Sequence, residues 1–287
     1  MEVQSIVCIF APIELLNSMK NTTSFLLLFC FFLLNSCSDG GFKPIDLVFA
    51  PSDDISLGNQ LHEEILANPE EYPLLSEAEH GPAIAYLQGM CDKLIATGEL
   101  EYADEFNYKV HIIDADVLNA FAAPGGKMYF YTGLINFLEK EDDLMGVMGH
   151  EIAHADRRHS VKQMIENYGV QWLLSAALGE QQGAVEAVLA NIAGTGAALK
   201  FSRNDESEAD EYSVTYLAET PYRCDGASIF FQKLDSAGLT SGVPEFLSTH
   251  PNPENRVIDI QAKAAELGCN TTYYAPATYD EFKAMLP

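Results

Sequence analysis

The chain has 287 residues, 48% of them hydrophobic, enough for a sizeable core and too many for a disordered chain. Its formal net charge of -26 argues against nucleic acid as a partner, because phosphate binding needs a basic surface. An acidic surface aids solubility and favours cations.

Residues 19–37, MKNTTSFLLLFCFFLLNSC, read as a targeting segment. Lys20 gives the positive start, and residues 25–34 are apolar but too short to span a bilayer comfortably. The stretch ends in Leu34-Asn35-Ser36-Cys37, which resembles a bacterial lipoprotein signal, cut before the cysteine whose thiol then carries diacylglycerol. We therefore expect a signal peptide over residues 1–36 and a lipidated Cys37 that anchors the protein to a membrane without spanning it. Met19-Lys20 is a better start than Met1, so residues 1–18 are expected to be a start-site artefact. A tether and linker are expected over 37–75, since its opening is rich in Gly, Pro, Ser and Asp.

An envelope location permits disulfides. Of six encoded cysteines, Cys8 and Cys30 fall in the signal and Cys37 takes the lipid, leaving Cys91, Cys224 and Cys269. Cys91 lies in the helical run IAYLQGMCDKLIATG and reads as a buried small hydrophobe. We pair Cys224 with Cys269, although spacing alone leaves the other pairings open.

Residues 76–97 carry apolar side chains at helical spacing (Ile84, Leu87, Met90, Cys91, Leu94, Ile95). Residues 108–113, YKVHII, alternate and predict a strand, and a second follows the Pro124-Gly125-Gly126 turn over 127–131. From Asp142 or Asp143, acidic residues open a helix predicted to run to Tyr168, where Gly169 offers a stop. Residues 170–199 are apolar, but Gly179 to Gly183 (GEQQG) interrupts them, so two short packed helices are expected rather than a span. Helices are predicted over 204–217, within PYRCDGASIFFQKLDSAG, and after the loop that opens STHPNPENRV. The fold class is α+β, mainly helical with a small sheet, with one domain over 76–268 and a tail over 269–287.

The chemistry concentrates in GVMGHEIAHADRRH, residues 146–159. His150 and His154 are four apart and project from one helical face, where two imidazoles reach one Zn2+. Glu151 stands where a metalloprotease keeps its general base. The surroundings are small or apolar, so unpaired histidines there would be costly and a metal would satisfy them. A third ligand is available in FSRNDESEADEY: Glu206 can bind the metal, and Asp210, one turn on, can fix the tautomer of a ligand histidine. The alternative is a solvated acidic helix face. His159 lies off the ligand face and reads as structural, and His62, His80 and His111 form no visible constellation.

Four successive blocks, NAFAAPGGKMYFYTGLI, LMGVMGHEIAHADRRH, FSRNDESEAD and THPNPENRV, resemble those of zinc metallopeptidase family M48 over residues 86–267. The resemblance implies a gluzincin-type domain holding one Zn2+ on His150, His154 and Glu206, with Glu151 as base and acid and Asp210 beside a ligand. Glu208 falls on another face. His250 matches a histidine that in envelope members approaches the metal and displaces water, a latency switch, or that stabilises the oxyanion. Arg256 orients that loop or the acidic cluster. The strand of Met128, Tyr129 and Phe130 is implied to be an exposed edge that pairs with an extended substrate, with Asn119 and Ala120 lining the approach. The implied partners are misfolded or unfolded polypeptides, and the implied role is envelope quality control. The competing reading is a zinc-stabilised, chaperone-like lipoprotein in which His250 closes the fourth position and hydrolysis is negligible.

Overall fold

The structure is a computed structural model and describes residues 45–46, 48–180, 183, 201–239, 246, 250, 255–274, 276 and 278–287. Residues up to Leu47 form one unit and Val48–Pro287 another, and the second holds every described helix and strand. The expected signal peptide and Cys37 lie outside the described residues.

The first helix, α1, spans Pro51–Ala67, within the expected tether. Proline at its first position and Asp53, which accepts from the Ala50 N–H at 2.8 Å, start it. Leu57, Leu61 and Ile65 then recur every fourth residue and are buried. That stripe corrects the linker boundary. The helix lies against the Pro124–Gly126 turn so closely that a Cβ on Gly58 would sit 2.0 Å from the Pro124 carbonyl oxygen. It is also bolted by charge: the buried Arg158 guanidinium donates to Asp54 and, at 2.7 Å, to the Phe49 carbonyl.

Helix α2, Glu77–Ile95, buries the predicted stripe, Cys91 included, with Ile95 only partly covered. Strands β1 (Lys109–Ile113), β2 (Ala120–Ala122) and β3 (Lys127–Tyr131) form a sheet in the order β1-β3-β2. β1 runs parallel to β3, in register from Lys109↔Lys127, and β2 runs antiparallel to it, with Phe121 opposite Tyr129. β3 is therefore the central strand, and Met128, Tyr129 and Phe130 are fully buried. The expectation of an exposed edge there is overturned, because β3 is paired on both sides. Leu74 bridges Ile113 and covers the β1 side. The open edge among the described residues is β2.

After α3 (Thr132–Phe137) comes α4, Glu141–Asp156, every residue of which is buried. It is packed between α7 (Arg203–Ala218) and α8 (Gly226–Ser236). The long helix predicted to Tyr168 is in fact two. Arg158 takes the left-handed conformation (φ 59°), and α5 restarts at His159–Tyr168. The buried pair with Asp54 holds this costly backbone state. Gly169, with positive φ, ends α5 as expected. Helix α6, Val170–Ala177, packs on α1, where Ser56 Oγ donates to the Ala177 carbonyl at 2.6 Å. The second helix expected in this stretch lies outside the described residues. No described helix is long and apolar enough to cross a membrane.

The chain closes with α9 (Arg256–Leu267) and α10 (Thr278–Lys283). Cys224 and Cys269 are disulfide-bonded, and Cys91 is free and buried. The expected tail is packed structure, with Tyr279 and Phe282 buried in the main core.

Candidate metal centre

Three elements and one turn deliver the site. Helix α4 supplies His150, Glu151 and His154. Helix α7 supplies Glu206 and Asp210, and begins on Ser202, whose hydroxyl accepts from the Asp205 N–H. Helix α9 begins with Arg256. His250 donates its backbone N–H to the Phe246 carbonyl at 2.8 Å. α4 and α7 approach closely because their contact residues are small. Ser213 Oγ donates to the Gly146 carbonyl at 3.0 Å and packs against Gly149.

His150, His154, Glu206 and His250 each turn one ligand-type atom to a common point, all within 4.8 Å of one another. His150 Nε2 lies 3.0 Å from His154 Nε2 and 3.5 Å from Glu206 Oε2, and His154 Nε2 is 3.4 Å from Glu206 Oε1. His250 Nδ1 completes the group, 3.0 Å from Glu206 Oε1 and 3.4 Å from His150 Nε2. Bonds of 2.0–2.1 Å in a tetrahedron would set donor atoms about 3.3 Å apart, so the spacing fits a zinc-sized ion.

Charge gives a second test of fit. Glu151, Glu206 and Asp210 are all buried, and Arg256 is the guanidinium that faces them. Arg256 holds Asp210 with two bonds of 2.6 and 2.7 Å and reaches Glu206 Oε2 at 2.8 Å. Three carboxylates against one arginine make a buried excess of negative charge, which is costly. A divalent cation would close it, and protons on the histidines are the other means. Burial opposes charge on His150, but its bonds to Asp210 and Glu206 outweigh that and push its pKa up to about 9. Burial dominates at His154 and holds it well below the ordinary value. Burial also raises Glu151, neither of whose carboxylate oxygens has a hydrogen-bond partner among the described residues. An uncommitted buried carboxylate beside ligand-type groups suits proton transfer better than structure.

Asp210 accepts from His150 Nδ1 at 2.9 Å, which leaves Nε2 directed at the common point. His250 Nε2 lies 3.6 Å from Glu151 Oε1. Glu208 is outside the group and pairs with Arg157 at 2.9 Å. Met128, Tyr129 and Phe130 contribute no ligand-type atom to it. The sequence reading missed two aromatic walls: Phe201 stacks on His154 at 3.8 Å between ring centroids, and Phe246 stacks on His250 at 4.3 Å. Phe246 lies four residues before His250, a spacing that could have been read.

The family model for peptidase family M48 matches residues 84–264. The beta-barrel assembly-enhancing protease of Escherichia coli strain K12 is 30% identical over 166 residues, covering 54% of this chain and 34% of that one. The mitochondrial metalloendopeptidase OMA1 of Schizosaccharomyces pombe is 28% identical over 183 residues, covering 63% and 52%. The human mitochondrial metalloendopeptidase OMA1 is 26% identical over 228 residues, covering 67% and 42%. The chain thus spans between a third and about half of the length of these relatives.

Proposed function

The chain belongs to peptidase family M48, and from there we propose that it is a zinc-dependent endopeptidase of the bacterial cell envelope. The observation that carries the proposal is the meeting of four ligand-type atoms within 4.8 Å beside the uncommitted Glu151 carboxylate. His150, His154 and Glu206 would hold one zinc, with Asp210 orienting His150 and Arg256 tying Asp210 to Glu206. Bound there, zinc supplies Lewis-acid polarisation of a peptide carbonyl and acidifies water. Glu151 takes the proton from the attacking water and passes it to the departing amine, a role matched to a carboxyl raised by burial.

Backbone pairing suits a substrate without a fixed sequence, and β2 offers it. Asn119 and Ala123 bond inward to β3, so the alternate residues Ala120 and Ala122 turn their backbone groups to the open edge. Ser160 Oγ donates to the Ala122 carbonyl at 3.3 Å. Ala120 is fully buried here, so its N–H and C=O would meet an extended chain once the edge is uncovered, a pairing that fits misfolded or unfolded polypeptides. Anchorage through a lipidated Cys37 and a part in envelope quality control belong to the same proposal. The beta-barrel assembly-enhancing proteases among the relatives support the envelope setting.

One observation favours a second reading. His250 Nδ1 stands at the fourth position, and Phe246 N–H donates to the Leu118 carbonyl beside the β2 edge at 3.1 Å. His250 thus occupies the metal's open position, and Phe246 stands at the start of the edge. A latent protease would be gated by His250, and a binding lipoprotein would be permanently closed by it.

Casein cleavage and zinc content of Glu151→Gln and His250→Ala separate these readings. A protease loses about 10²- to 10⁴-fold in rate on Glu151→Gln and keeps its zinc. Latency predicts faster cleavage by His250→Ala. Equal, negligible cleavage by the wild type and both variants, with zinc bound, would make the chain a binding protein.

A further inference from the structure

The two histidines of α4 are oriented in different ways. His150 Nδ1 faces a carboxylate directly, that of Asp210. His154 Nδ1 faces another imidazole, His159 Nδ1, at 2.9 Å. His159 is fully buried at the first position of α5, brought back toward α4 by the left-handed Arg158. Its other nitrogen, Nε2, lies 3.3 Å from Glu208 Oε2 and 3.7 Å from Asp205 Oδ1. Glu208 is in turn held by Arg157 at 2.9 Å and approached by Lys162 at 3.8 Å.

These contacts admit one consistent placement of protons if His154 is a metal ligand. A carboxylate only accepts, so the proton of a neutral His159 resides on Nε2 and is donated to Glu208. His159 Nδ1 then carries a lone pair and can only accept. His154 must therefore carry its own proton on Nδ1 and donate it to His159. That leaves the His154 Nε2 lone pair free, pointing at Glu206 and His150. The reverse tautomer of His159 would set a lone pair against the Glu208 carboxylate. It would also set an N–H against His154 and drive the proton of His154 onto Nε2, the atom the metal needs.

We propose that His159 is a positioning residue for the metal centre, the middle of a Glu208–His159–His154 relay that fixes His154 in its metal-binding tautomer. The proposal rests on the metallopeptidase reading of the site. His159 would touch neither metal nor substrate. Its work is done through the His154 ring, as Asp210 works through His150, and such partners change metal affinity by about 10- to 100-fold.

The test is zinc affinity of the full chain, measured by competition with a chromogenic chelator, for the wild type, His159→Phe, His159→Asn, Glu208→Ala and His154→Ala. His159→Phe keeps a flat ring and removes the acceptor, and should weaken zinc binding about 10- to 100-fold. His159→Asn can present its side-chain oxygen near the Nδ1 position and should recover most of that loss, which a purely space-filling role would not produce. Glu208 is partly exposed (34%), so Glu208→Ala should fold and show a smaller loss in the same direction. Wild-type affinity, within twofold, in both His159→Phe and Glu208→Ala overturns the relay. So does a second zinc per chain that Glu208→Ala removes, since His159, Asp205 and Glu208 would then themselves be a metal site. Should the wild type bind no zinc, or His154→Ala bind it as well as the wild type, the metallopeptidase reading itself fails.

Discussion

Asp156 ends α4 with a fully buried carboxylate that accepts four hydrogen bonds. The Glu101 and Tyr102 N–H groups donate at 3.1 and 2.8 Å, and the Tyr108 and Tyr216 hydroxyls at 3.1 and 2.7 Å. One side chain thus gathers the loop after α2, the start of β1 and helix α7 around the helix that bears the site. Asp156→Ala would strand three buried donors, those of Tyr102, Tyr108 and Tyr216, and the expected loss is about 3 kcal/mol or more by urea denaturation. A loss under about 1 kcal/mol would contradict this role. His111 shows the opposite case, a partly buried base whose surroundings oppose its charge. Its Nε2 has no hydrogen-bond partner among the described residues. Burial, His62 and the lysines Lys109 and Lys127 push its pKa from 6.5 down to about 3. Between those values the unfolded chain binds a proton that the folded chain refuses, so stability falls as pH drops through the window. The slope from this group reaches about 1.4 kcal/mol per pH unit at most. His111→Phe should flatten the loss measured by denaturant titrations from pH 6.5 to 3. An unchanged slope would show that His111 is not the group responsible.

At the scale of elements, the site depends on how near α4 can come to its neighbours. A Cβ on Gly146 would lie 2.1 Å from the Ala227 nitrogen and 2.2 Å from the Gly226 carbon, all backbone atoms. One on Gly226 would lie 2.4 Å from the Asp142 carbonyl oxygen. Glycine is required at both crossings because backbone cannot move aside as a side chain can. Gly146 is one turn before His150, so parting α4 from α8 there displaces a ligand. Gly146→Ala should cost about 1–3 kcal/mol in thermal unfolding and weaken zinc binding as well. Wild-type melting and zinc affinity would refute the packing argument. Elements also mark where sequence reading succeeds. The stripe of α2, the alternation of β1 and the acidic start of α4 are local patterns, and local patterns are legible. The left-handed Arg158 was not, since its partner Asp54 lies 104 residues away. The long helix therefore read as continuous, and the placement of His159 against His154 stayed hidden. The stripe of Leu57, Leu61 and Ile65 in α1 was legible, but the run that opens 37–75, rich in Gly, Pro, Ser and Asp, favours a tether.

At the scale of the molecule, what the sequence withheld is long-range pairing. Residues 127–131 read correctly as a strand, yet nothing in them tells a central strand from an edge. That depends on β1 and β2 both choosing β3. The pairing of His150 with His154 was legible for another reason: spacing within a helix fixes its face, while the choice of Glu206 from the acidic helix rested on the family resemblance. The position of His250 could be read only by resemblance, because 100 residues separate it from His150. The four groups come from α4, α7 and the segment before α9, so one ion would tie together most of the helical half of the chain. Zinc should therefore raise the melting temperature as well as enable cleavage. The most direct measurement is zinc content with casein cleavage by the full chain, before chelation, after it, and after metal is returned. The account predicts one zinc per chain, cleavage lost with the metal, and cleavage restored by one equivalent of zinc. Cleavage that survives complete removal of the metal would contradict it.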